Sequence, residues 1–549
     1  MKPLKYPSYV ASNLALVVAT IWSFAATVQA VLPVNNTANA GPGSLRDTIL
    51  AANAGDNITF ALPPGSIITL ATELVVDKDL TISGLGATKL SVVNPNGRVF
   101  HIKPSVNSPR VAAVISGLRL QGRLVGTGFG SDVIGGCILN EHMCTLTVNN
   151  CYFENCQALA GPGADAPGTV FDNTANGGDG GSAKGGAIYD DGDLILYGCT
   201  FFNNSAVGGT GGAGVGGGNG GNGGLAQGGA VYTSYNAGGL SIVDCTFFGN
   251  LSYGGNGGNG GDGRIFVTHV VATNGGRGGK GGDAAGGGIY VLRACDHDCS
   301  GLIHSTVNRN ACEPGPGGMG GLGQFGGANG APGLDGKPQG CGVYTASGFP
   351  NLLPIGMSII AGNYAIPAAT IPDGPDLWGM VDSHKYNLLG IMDASSSGWI
   401  AGFEYFGNAA SPLDPRLGPL QYNGGETRTM APLAGSLAID ASTDGGFALD
   451  QAGQPRPVFL ILGSLGSDVG AYELQSTPTN SPASLTITPS GTNVVVAWPW
   501  PSTGYILQES PDTTPGSWVD STRAVNATGT RIEVVVPAIG QRFFRLVHH

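Results

Sequence analysis

Short apolar strands recur through the middle of the chain, and glycine introduces each of them. Five copies begin at Gly135, Gly185, Gly228, Gly287 and Gly342. The best preserved copies read Gly-Gly-Ala-Ile-Tyr and Gly-Gly-Ala-Val-Tyr, and a second apolar strand follows each copy. Strands this short are unstable alone, so we expect them to pair with their counterparts in neighbouring repeats. The pattern predicts a right-handed parallel β-helix with glycine-rich coils over residues 135–365.

Each second strand has a small residue at its start and a polar or sulfur residue at the corner five positions later. The starts are Cys151, Cys199, Cys245, Ser305 and Ser358, and the corners are Cys156, Asn204, Asn250, Asn310 and Asn363. Equivalent residues of a parallel stack lie about 4.8 Å apart. The register therefore predicts a cysteine ladder and an asparagine ladder. Asparagine suits a corner because it tolerates the left-handed conformation and its amide can bond to the next coil.

Earlier coils and an N-terminal cap are predicted upstream. Strand-like segments without glycine insertions span residues 80–83, 89–93, 98–102 and 114–120. Ser44 and Asp47 form a capping box, and the apolar residues after them predict a short amphipathic helix at about 44–54. Such a helix would cover the open end of the first coil.

Glycine-rich tracts fill the spaces between the repeats. They span residues 208–224, 254–263, 275–282 and 315–330. Glycine recurs in them with an approximate period of three, which matches the extended polyproline II helix. Two structures fit this pattern: flexible tethers, or extended glycine helices packed side by side through lateral backbone hydrogen bonds. Four tracts that leave the same corner of successive coils favour the packed form.

The first thirty residues predict a secretory signal peptide. Lys2 and Lys5 precede an apolar run over residues 14–26, and Val28-Gln29-Ala30 is a typical cleavage site. Removing these two lysines and no acid lowers the net charge from −12 to −14. An acidic mature chain disfavours nucleic acid and anionic lipid as partners. We expect a secreted or cell-surface protein with no transmembrane anchor in the mature chain.

Ten cysteines accompany the predicted export. Several occupy equivalent positions of the repeat, which indicates stacked core residues. Disulfide connectivity cannot be assigned from their spacing.

Two longer motifs frame the repeats. The first is Gly41-Pro-Gly-Ser-Leu-Arg-Asp-Thr-Ile49, and the second runs from Asp414-Pro-Arg-Leu-Gly-Pro-Leu420 to Asp468-Val-Gly-Ala-Tyr-Glu473. Together they resemble the choice-of-anchor Q family of exported bacterial proteins, over about residues 35–474. The resemblance implies a pectin-lyase-like β-helix and export, but little chemistry. The chain departs from the family in its last residues, 545–549, which show no apolar anchor helix.

A second, smaller domain is predicted at the C-terminal end. The expected organisation is a signal peptide at 1–30, a β-helix at 31–474, a linker rich in Ser, Thr and Pro at 475–483, and a module at 484–549. Five or six short strands in the module are typical of a fibronectin-III-like β-sandwich. Its Trp498, Trp500 and Trp518 could line a sugar-binding platform or belong to its core.

Asp190, Asp191 and Asp193 form the densest acidic group of the repeats and are the catalytic candidates. Polysaccharide hydrolases use neighbouring carboxylates as acid and base. Lyases use calcium held by carboxylates together with a basic residue. The next coil carries Thr233-Ser234-Tyr235 at this place, so the acids do not continue. A solvated turn is the alternative interpretation.

Asp296, His297 and Asp298 are the metal candidates, because they combine ligand types within a short stretch between two cysteines. A turn closed by a disulfide is the alternative. The sequence assigns no cofactor, although calcium stays open for a lyase.

Tyr189, Tyr232, Tyr290 and Tyr344 are the binding candidates. Each follows a residue expected to point inward, so the period of two places the tyrosines outward. A row of exposed rings could stack on a glycan. The alternative is packing beneath the glycine tracts.

These observations favour a non-catalytic, adhesin-like or carbohydrate-binding scaffold whose partner is a polysaccharide or a cell-surface glycan. The competing interpretation is a polysaccharide lyase or glycoside hydrolase that acts on uronate-containing polysaccharide. Self-association through the glycine tracts is a further alternative.

Overall fold

A computed structural model of the chain describes residues 29–171, 174–266, 270–294, 299–346, 348, 351–367, 373–476, 484–499, 505–521, 523, 526–528 and 531–548. The predicted signal peptide lies outside the described residues except for Gln29 and Ala30. No helix within the described ranges is long and apolar enough to cross a bilayer.

The body of the protein is a stack of parallel coils whose strands form three long sheets. Sheet 1 contains Val31–Val34, Asn57–Phe60, Leu80–Ser83, Val111–Ser116, Cys144–Asn149, Asp193–Tyr197, Gly239–Val243, Gly301–Ile303 and Leu353–Gly356. Sheet 2 contains Ser66–Thr69, Leu90–Asn94, Arg119–Val125, Tyr152–Glu154, Thr200–Phe202, Thr246–Phe248, Thr306–Asn308, Ile359–Ala361, Leu388–Leu389 and Tyr405–Phe406. Sheet 3 contains Leu74–Val76, Phe100–Ile102, Ile138–Asn140, Ile188–Asp190, Val231–Thr233, Ile289–Val291 and Val343–Thr345. Leu377–Ser383 pairs with both sheet 1 and sheet 3, and Ser396–Ser397 pairs with it in turn. The predicted right-handed parallel β-helix is confirmed.

Two narrow sheets flank the coils where the glycine tracts leave and return. Sheet 4 contains Gln157–Leu159, Ser205–Val207, Leu251–Tyr253, Ala311–Glu313 and Tyr364–Ala365, beside the end of Arg119–Val125. Sheet 5 contains Val133–Ile134, Ala183–Lys184, Ala226–Gln227, Ala284–Ala285 and Pro338–Gln339. Each tract leaves sheet 4, turns, and returns to sheet 5 as a glycine hairpin. Insertions of this length are accommodated because they lie entirely at one corner of the coil.

A short α-helix, Leu45–Ala51, lies at the N-terminal end of the solenoid. Ser44 is its N-cap, and the Ser44 hydroxyl accepts a hydrogen bond from the Asp47 amide at 3.3 Å. Leu45 and Ile49 are buried in the same apolar core as the first coils. The helix therefore covers the apolar end of the stack.

Like side chains stack in register inside the solenoid. One column consists of Ile188, Val231, Ile289 and Val343, and another of Phe153, Phe201 and Phe247. Neighbouring phenylalanine rings have centroids 4.6 Å apart and planes within 5° of parallel. Each coil therefore buries its apolar residues against the coils above and below, which is the main stabilising contribution in a repeat protein.

The predicted cysteine ladder is confirmed, and serine takes the place of cysteine in its later coils. The Cys199 amide donates to Cys245 Sγ at 3.4 Å, and the Cys245 amide donates to Ser305 Oγ at 3.2 Å. The Ser305 amide donates to Ser358 Oγ at 3.1 Å. Eight cysteines are free and buried, and Cys299 is disulfide-bonded. Most of the sulfur atoms thus fill the core of the coils.

The asparagine ladder is also confirmed. The Asn204 amide and its Nδ2 both donate to Asn250 Oδ1, at 3.0 and 2.8 Å. The same pair of bonds joins Asn250 to Asn310 and Asn310 to Asn363, at 2.8–3.1 Å. The ladder ends on Asp376, whose Oδ1 accepts both donors of Asn363.

One part of the asparagine prediction is wrong. The ladder asparagines do not adopt the left-handed conformation. The residue directly before each ladder position does, and these residues are Asn155, Asn203, Gly249, Arg309 and Gly362. The ladder positions therefore require asparagine for its amide, while the preceding residue makes the bend.

The glycine hairpins pack into a two-layer slab, as the packed alternative predicts. The outgoing layer contains residues 161–166, 208–215, 254–263 and 315–323, and the returning layer contains residues 174–182, 217–225, 273–283 and 327–337. Amides cross between the layers, as from Gly221 to the Gly212 carbonyl at 2.9 Å and from Gly258 to the Gly221 carbonyl at 2.8 Å. Others join neighbours within one layer, as from Gly211 to the Asn256 carbonyl at 2.8 Å.

Residues 408–475 form a closing segment that lies against the outer side of sheet 2. The Thr200 hydroxyl donates to the Arg428 carbonyl at 2.6 Å. The Gln451 amide group donates to Thr200 Oγ1 at 2.8 Å, and its Oε1 accepts from Thr246 Oγ1 at 2.6 Å. Contacts between positions more than two hundred residues apart thus hold the segment on the solenoid.

The C-terminal module is a small β-sandwich of two antiparallel sheets. One sheet contains Thr486–Ser490, Asn493–Pro499, Arg531–Pro537 and Asn526–Thr528, and the other contains Val519–Asp520, Tyr505–Ser510 and Phe543–His548. A short 3-10 helix spans Pro515–Ser517. The core contains Val496, Trp498, Leu507, Ile532, Val534 and Val536. Trp498 is thus a core residue, Trp518 lies under the guanidinium of Arg545 at 4.3 Å, and Trp500 lies outside the described residues.

Candidate functional surfaces

Asp190 lies buried at the turn between sheet 3 and sheet 1. Its Oδ1 accepts hydrogen bonds from Asn140 Nδ2 at 2.7 Å and from the Gly192 amide at 3.3 Å. Burial raises the pKa of Asp190 to about 7, and the bond from Asn140 opposes that rise. The side chain has no exposed surface. It therefore acts within the fold and cannot reach a polysaccharide on this face.

Asp191 and Asp193 connect neighbouring coils. Asp191 accepts from the Ser234 hydroxyl and from Asn236 Nδ2, the latter at 3.2 Å. Asp193 accepts from Thr145 Oγ1 at 3.1 Å. These bonds run to the following coil and to the preceding coil respectively. The geometry thus supports the structural interpretation of this acidic turn.

The metal candidates Asp296, His297 and Asp298 lie outside the described residues and stay a prediction. Within the described ranges, no group of three or more His, Cys, Asp or Glu side chains is placed to hold a metal ion.

The tyrosine column is a continuous stack of rings. Centroids of neighbouring rings lie 4.5–5.1 Å apart from Tyr189 through Tyr232 and Tyr290 to Tyr344. Trp378 extends the stack, 4.5 Å from Tyr344 and parallel to within 1°. Because each ring covers the face of the next, a sugar cannot stack on the inner members.

The prediction of an exposed row is wrong for the inner tyrosines. Tyr232 is 2% exposed and Tyr290 is 5% exposed, and they pack with Ala285 of sheet 5. Lys184 lies over the Tyr232 ring at 5.4 Å, and Tyr189 and Tyr344 are half-buried. The sheet at the base of the glycine hairpins covers the column, which is the arrangement that the packing alternative predicts.

A charged cluster that the sequence analysis missed lies further along sheet 3. The tyrosine column continues in register through Leu139 to His101. His101 lies between two carboxylates, with Nδ1 3.1 Å from Glu73 Oε1 and Nε2 2.7 Å from Glu141 Oε1. Arg98 donates to the other oxygen of Glu73 at 2.8 Å. The hydrogen bond with His101 and the charge of Arg98 lower the pKa of Glu73 to about 2.

A fully buried arginine of the closing segment lies between an acid of the solenoid and an acid of its own segment. Arg456 Nη2 donates to the Gly470 carbonyl at 3.1 Å. Its Nη1 lies 3.5 Å from Asp244 Oδ1, and its Nε lies 3.3 Å from Glu473 Oε2, which are ion-pair separations. Burial raises the pKa of Asp244 to about 8, although Arg456 opposes the rise. Arg456 therefore joins the closing segment to the solenoid through Asp244, while Glu473 pairs with Arg456 inside the segment.

The hydrogen-bonding pattern of the glycine slab repeats every three residues. In each Gly-Gly-X triplet the first glycine bonds within its layer and the second bonds across to the other layer. The X residue points outward, and where the preceding tract carries Asn or Asp at that position its amide donates to that side chain, as from Lys280 to Asn222 Oδ1 at 2.9 Å. A Cβ on Gly258 would lie 1.9 Å from the Gly212 carbonyl oxygen. In the inner tracts, only the X position can therefore carry a side chain.

The last returning tract, residues 327–337, departs from this pattern. No further tract follows it among the described residues. Its first-glycine positions are occupied by Asn329, Pro332 and Asp335. Asp335 Oδ1 accepts the Gly317 amide at 2.8 Å, and Asn329 Oδ1 accepts the Gly323 amide at 2.8 Å. The edge is thus closed by its own side chains, which argues against assembly by addition of tracts there.

Comparisons with known proteins identify no family and give weak structural likenesses. Neither a family model nor a curated protein matches the chain. A solved structure of the PL6 family alginate lyase AlyGC is 12% identical, with a TM-score of 0.17 over 73% of this chain and 55% of that one. A mutant of the same lyase gives 11% identity and a TM-score of 0.17, over 72% of this chain and 55% of that one. The chain thus spans little more than half of the lyase, and likeness this weak carries no argument about activity.

Proposed function

We propose that the protein is a non-catalytic, carbohydrate-binding scaffold of the cell exterior, similar to choice-of-anchor Q proteins. The glycine slab is the observation that carries this proposal. Backbone amides bond within each layer and between the two layers, so the slab forms a stiff platform. Its returning layer presents two rows of mostly polar side chains outward, Asn176, Asn219 and Arg277 in one and Asp179, Asn222 and Lys280 in the other. An ordered array of amide groups suits a long ligand rich in hydroxyl and carboxylate oxygens.

The environment of the acidic turn supports binding over cleavage. A general acid must come within hydrogen-bonding distance of the bond that it protonates. Asp190 has no exposed surface, and Asp191 and Asp193 are occupied by bonds to other coils. These carboxylates therefore stabilise the stack.

An enzyme is the second candidate, a polysaccharide lyase or glycoside hydrolase. The observation in its favour is the cluster of Glu73, His101 and Glu141 on sheet 3. These side chains remain partly accessible, with His101 14% and Glu141 42% exposed. A histidine between two carboxylates is a suitable group for proton transfer.

The two candidates differ in what happens to a bound polysaccharide. The purified protein is incubated with immobilised uronate-containing and neutral polysaccharides, with and without Ca²⁺. We expect retention on the polymer without absorbance from unsaturated uronates and without new reducing ends. Turnover that His101→Gln abolishes would establish the enzyme instead, and failure to bind any polysaccharide would contradict the proposal.

A further inference from the structure

The returning layer of the slab has a groove on its outer face. The groove runs across the tracts, and its floor consists of three glycine pairs, Gly177-Gly178, Gly220-Gly221 and Gly278-Gly279, followed by Pro332-Gly333 and Leu334 of the last tract. One border is a row of Asn176, Asn219 and Arg277, and the other is a row of Asp179, Asn222 and Lys280. The rows stand three residues apart along each tract, or about 9 Å at the rise of an extended helix. Over the three glycine pairs the floor has no side chains, so an extended ligand can lie against the backbone there.

The slab fixes the orientation of the bordering amides. Asn219 Oδ1 accepts the Arg277 amide at 2.9 Å, and Asn222 Oδ1 accepts the Lys280 amide at 2.9 Å. Asn176 Oδ1 accepts the Asn219 amide at 2.8 Å. Because each oxygen is used inside the slab, the Nδ2 groups of these exposed side chains face outward as donors. Both rows therefore present hydrogen-bond donors to a ligand.

Positive charge lies on the same groove. Arg277 and Lys280 are exposed and occupy opposite borders. Lys280 pairs with Asp283 at 2.8 Å, but both side chains are partly exposed, and such surface pairs contribute little and exchange easily. Asp179, at the other end, accepts the Asn222 amide at 2.6 Å. The cationic end of the groove is therefore its strongest site for an anion.

The opposite face of the slab has no such charge. Its described outward positions carry Asp165 and Asp262 and no lysine or arginine, and the other positions are Pro162, Thr210, Ala213, Asn256, Asn259, Pro316, Met319 and Leu322. The two faces have the same backbone and differ in their X residues. Among the described outward positions of the slab, lysine and arginine thus occur on the returning layer alone. The net charge of the whole chain is −12, which disfavours the binding of polyanions elsewhere on the protein.

We propose that this groove binds a uronate-bearing polysaccharide. Carboxylates of the ligand pair with Arg277 and Lys280, and its hydroxyl oxygens accept from the outward amides of Asn219 and Asn222. The inference rests on the proposed function and adds to it the binding face and the chemical class of the ligand.

The test compares two charge variants of the full protein by calorimetric titration with polygalacturonate and with dextran. Arg277→Gln combined with Lys280→Gln should weaken polygalacturonate binding by roughly a hundredfold, since two charge-assisted bonds are lost. The matched control is Lys337→Gln, an exposed cation of the same layer outside the groove, which should change affinity by less than about twofold. Unchanged thermal unfolding confirms that each variant is folded.

The outcomes separate this inference from the proposed function. Equal binding by the double variant and the natural protein would overturn the groove and leave a carbohydrate-binding scaffold intact. Equal affinity for dextran and polygalacturonate would overturn the ligand class. If the natural protein binds neither these polymers nor other polysaccharides, the proposed function itself fails.

Discussion

Asn250 illustrates how one side chain satisfies several buried groups at a corner of the solenoid. Its Oδ1 accepts two bonds from Asn204, and its Nδ2 donates to Asn310 Oδ1 at 2.8 Å and to the Phe201 carbonyl at 3.0 Å. The side chain has no exposed surface, so water cannot replace these partners. A buried polar group without a partner costs about 1–3 kcal/mol.

Asn250→Ala should therefore lower the free energy of unfolding by about 3 kcal/mol or more, because several buried groups lose their partners together. Urea unfolding followed by circular dichroism measures the change. Asn96→Ala, at an exposed turn, is the control and should change stability by less than about 0.5 kcal/mol. A loss equal to that of the control would show that the ladder is dispensable.

The raised pKa of Asp190 makes the free energy of unfolding depend on pH. Burial raises its pKa from 3.8 to about 7, so the folded state keeps a proton that the unfolded state releases between these values. Its contribution to stability is complete below pH 4 and is lost as the pH rises through 7. Asp190→Asn cannot titrate, and it should remove a decline of about 1.4 kcal/mol per pH unit from the free energy of unfolding. Unfolding titrations between pH 4 and 7 check this, and equal slopes for the two proteins would refute it.

The sequence predicts the roles of residues that recur at equivalent positions in successive coils. The ladder asparagines recur five positions after a cysteine or serine, so stacking alone brings them together. His101, Glu73 and Glu141 occur once each and come from different coils. Aligning the coils in register could have placed His101 in the tyrosine column, but nothing in the pattern marks its two carboxylate partners.

At the scale of the element, the glycine tract is the feature whose structure the sequence left most open. A period of three indicates an extended chain, yet such a chain has no hydrogen bonds of its own. Its order depends on lateral bonds to other tracts, such as that from Gly279 to the Gly258 carbonyl at 2.8 Å. The Asn or Asp at the X position was the available signal, because its side chain caps the third amide of the next tract.

Gly258→Ala distinguishes a packed slab from flexible tethers by the sign of its effect. In the slab the new Cβ would lie 1.9 Å from a carbonyl oxygen, so we expect a loss of about 3 kcal/mol and faster amide exchange in the tracts. In a flexible tether the same change would stabilise the protein by about 0.4–1 kcal/mol. Hydrogen exchange read by mass spectrometry, together with urea unfolding, measures both quantities.

Thr210→Ala is the matched control for the glycine substitution. Thr210 occupies an outward X position of the neighbouring tract and is exposed. Its variant should leave exchange in the tracts unchanged. Equal effects of the two variants, or stabilisation by Gly258→Ala, would argue for tethers.

The closing segment depends on a few long-range contacts. Gln451 bonds to Thr200, Thr246 and Thr427, so Gln451→Ala leaves these hydroxyl groups without their shared partner. We expect limited proteolysis to cut within residues 408–475 faster in this variant than in Gln475→Ala, whose side chain bonds only to backbone carbonyls of the segment itself, at Pro455 and Glu473. Equal rates of cleavage would show that other contacts hold the segment.

At the scale of the whole molecule, the solenoid is closed at its N-terminal end and along one side. The helix Leu45–Ala51 covers the first coil, and the closing segment covers sheet 2. The sequence predicts the stack because its hydrophobic pattern repeats with each coil. The position of the closing segment could not be predicted in the same way, because its partners, such as Thr200 for Gln451, lie 251 residues away and share no pattern with it.

The charge of the molecule is distributed unevenly, and this bears on function. The chain as a whole is acidic, whereas the groove of the returning layer combines Arg277 and Lys280 with outward amide donors. Asp190, the strongest acidic candidate of the sequence, is buried and belongs to another part of the solenoid, so it cannot act on a polymer bound there. The proposed scaffold binds the polymer on this face and releases it uncut.

The chain length of a uronate polysaccharide before and after it is saturated with protein tests this function most directly. Size-exclusion chromatography with light scattering reports the complex and the released polymer in one experiment. We expect a complex of higher mass and, after dissociation in salt, polymer of its original length, with or without Ca²⁺. Recovery of shortened polymer would contradict a binding scaffold and establish a polysaccharide-cleaving enzyme.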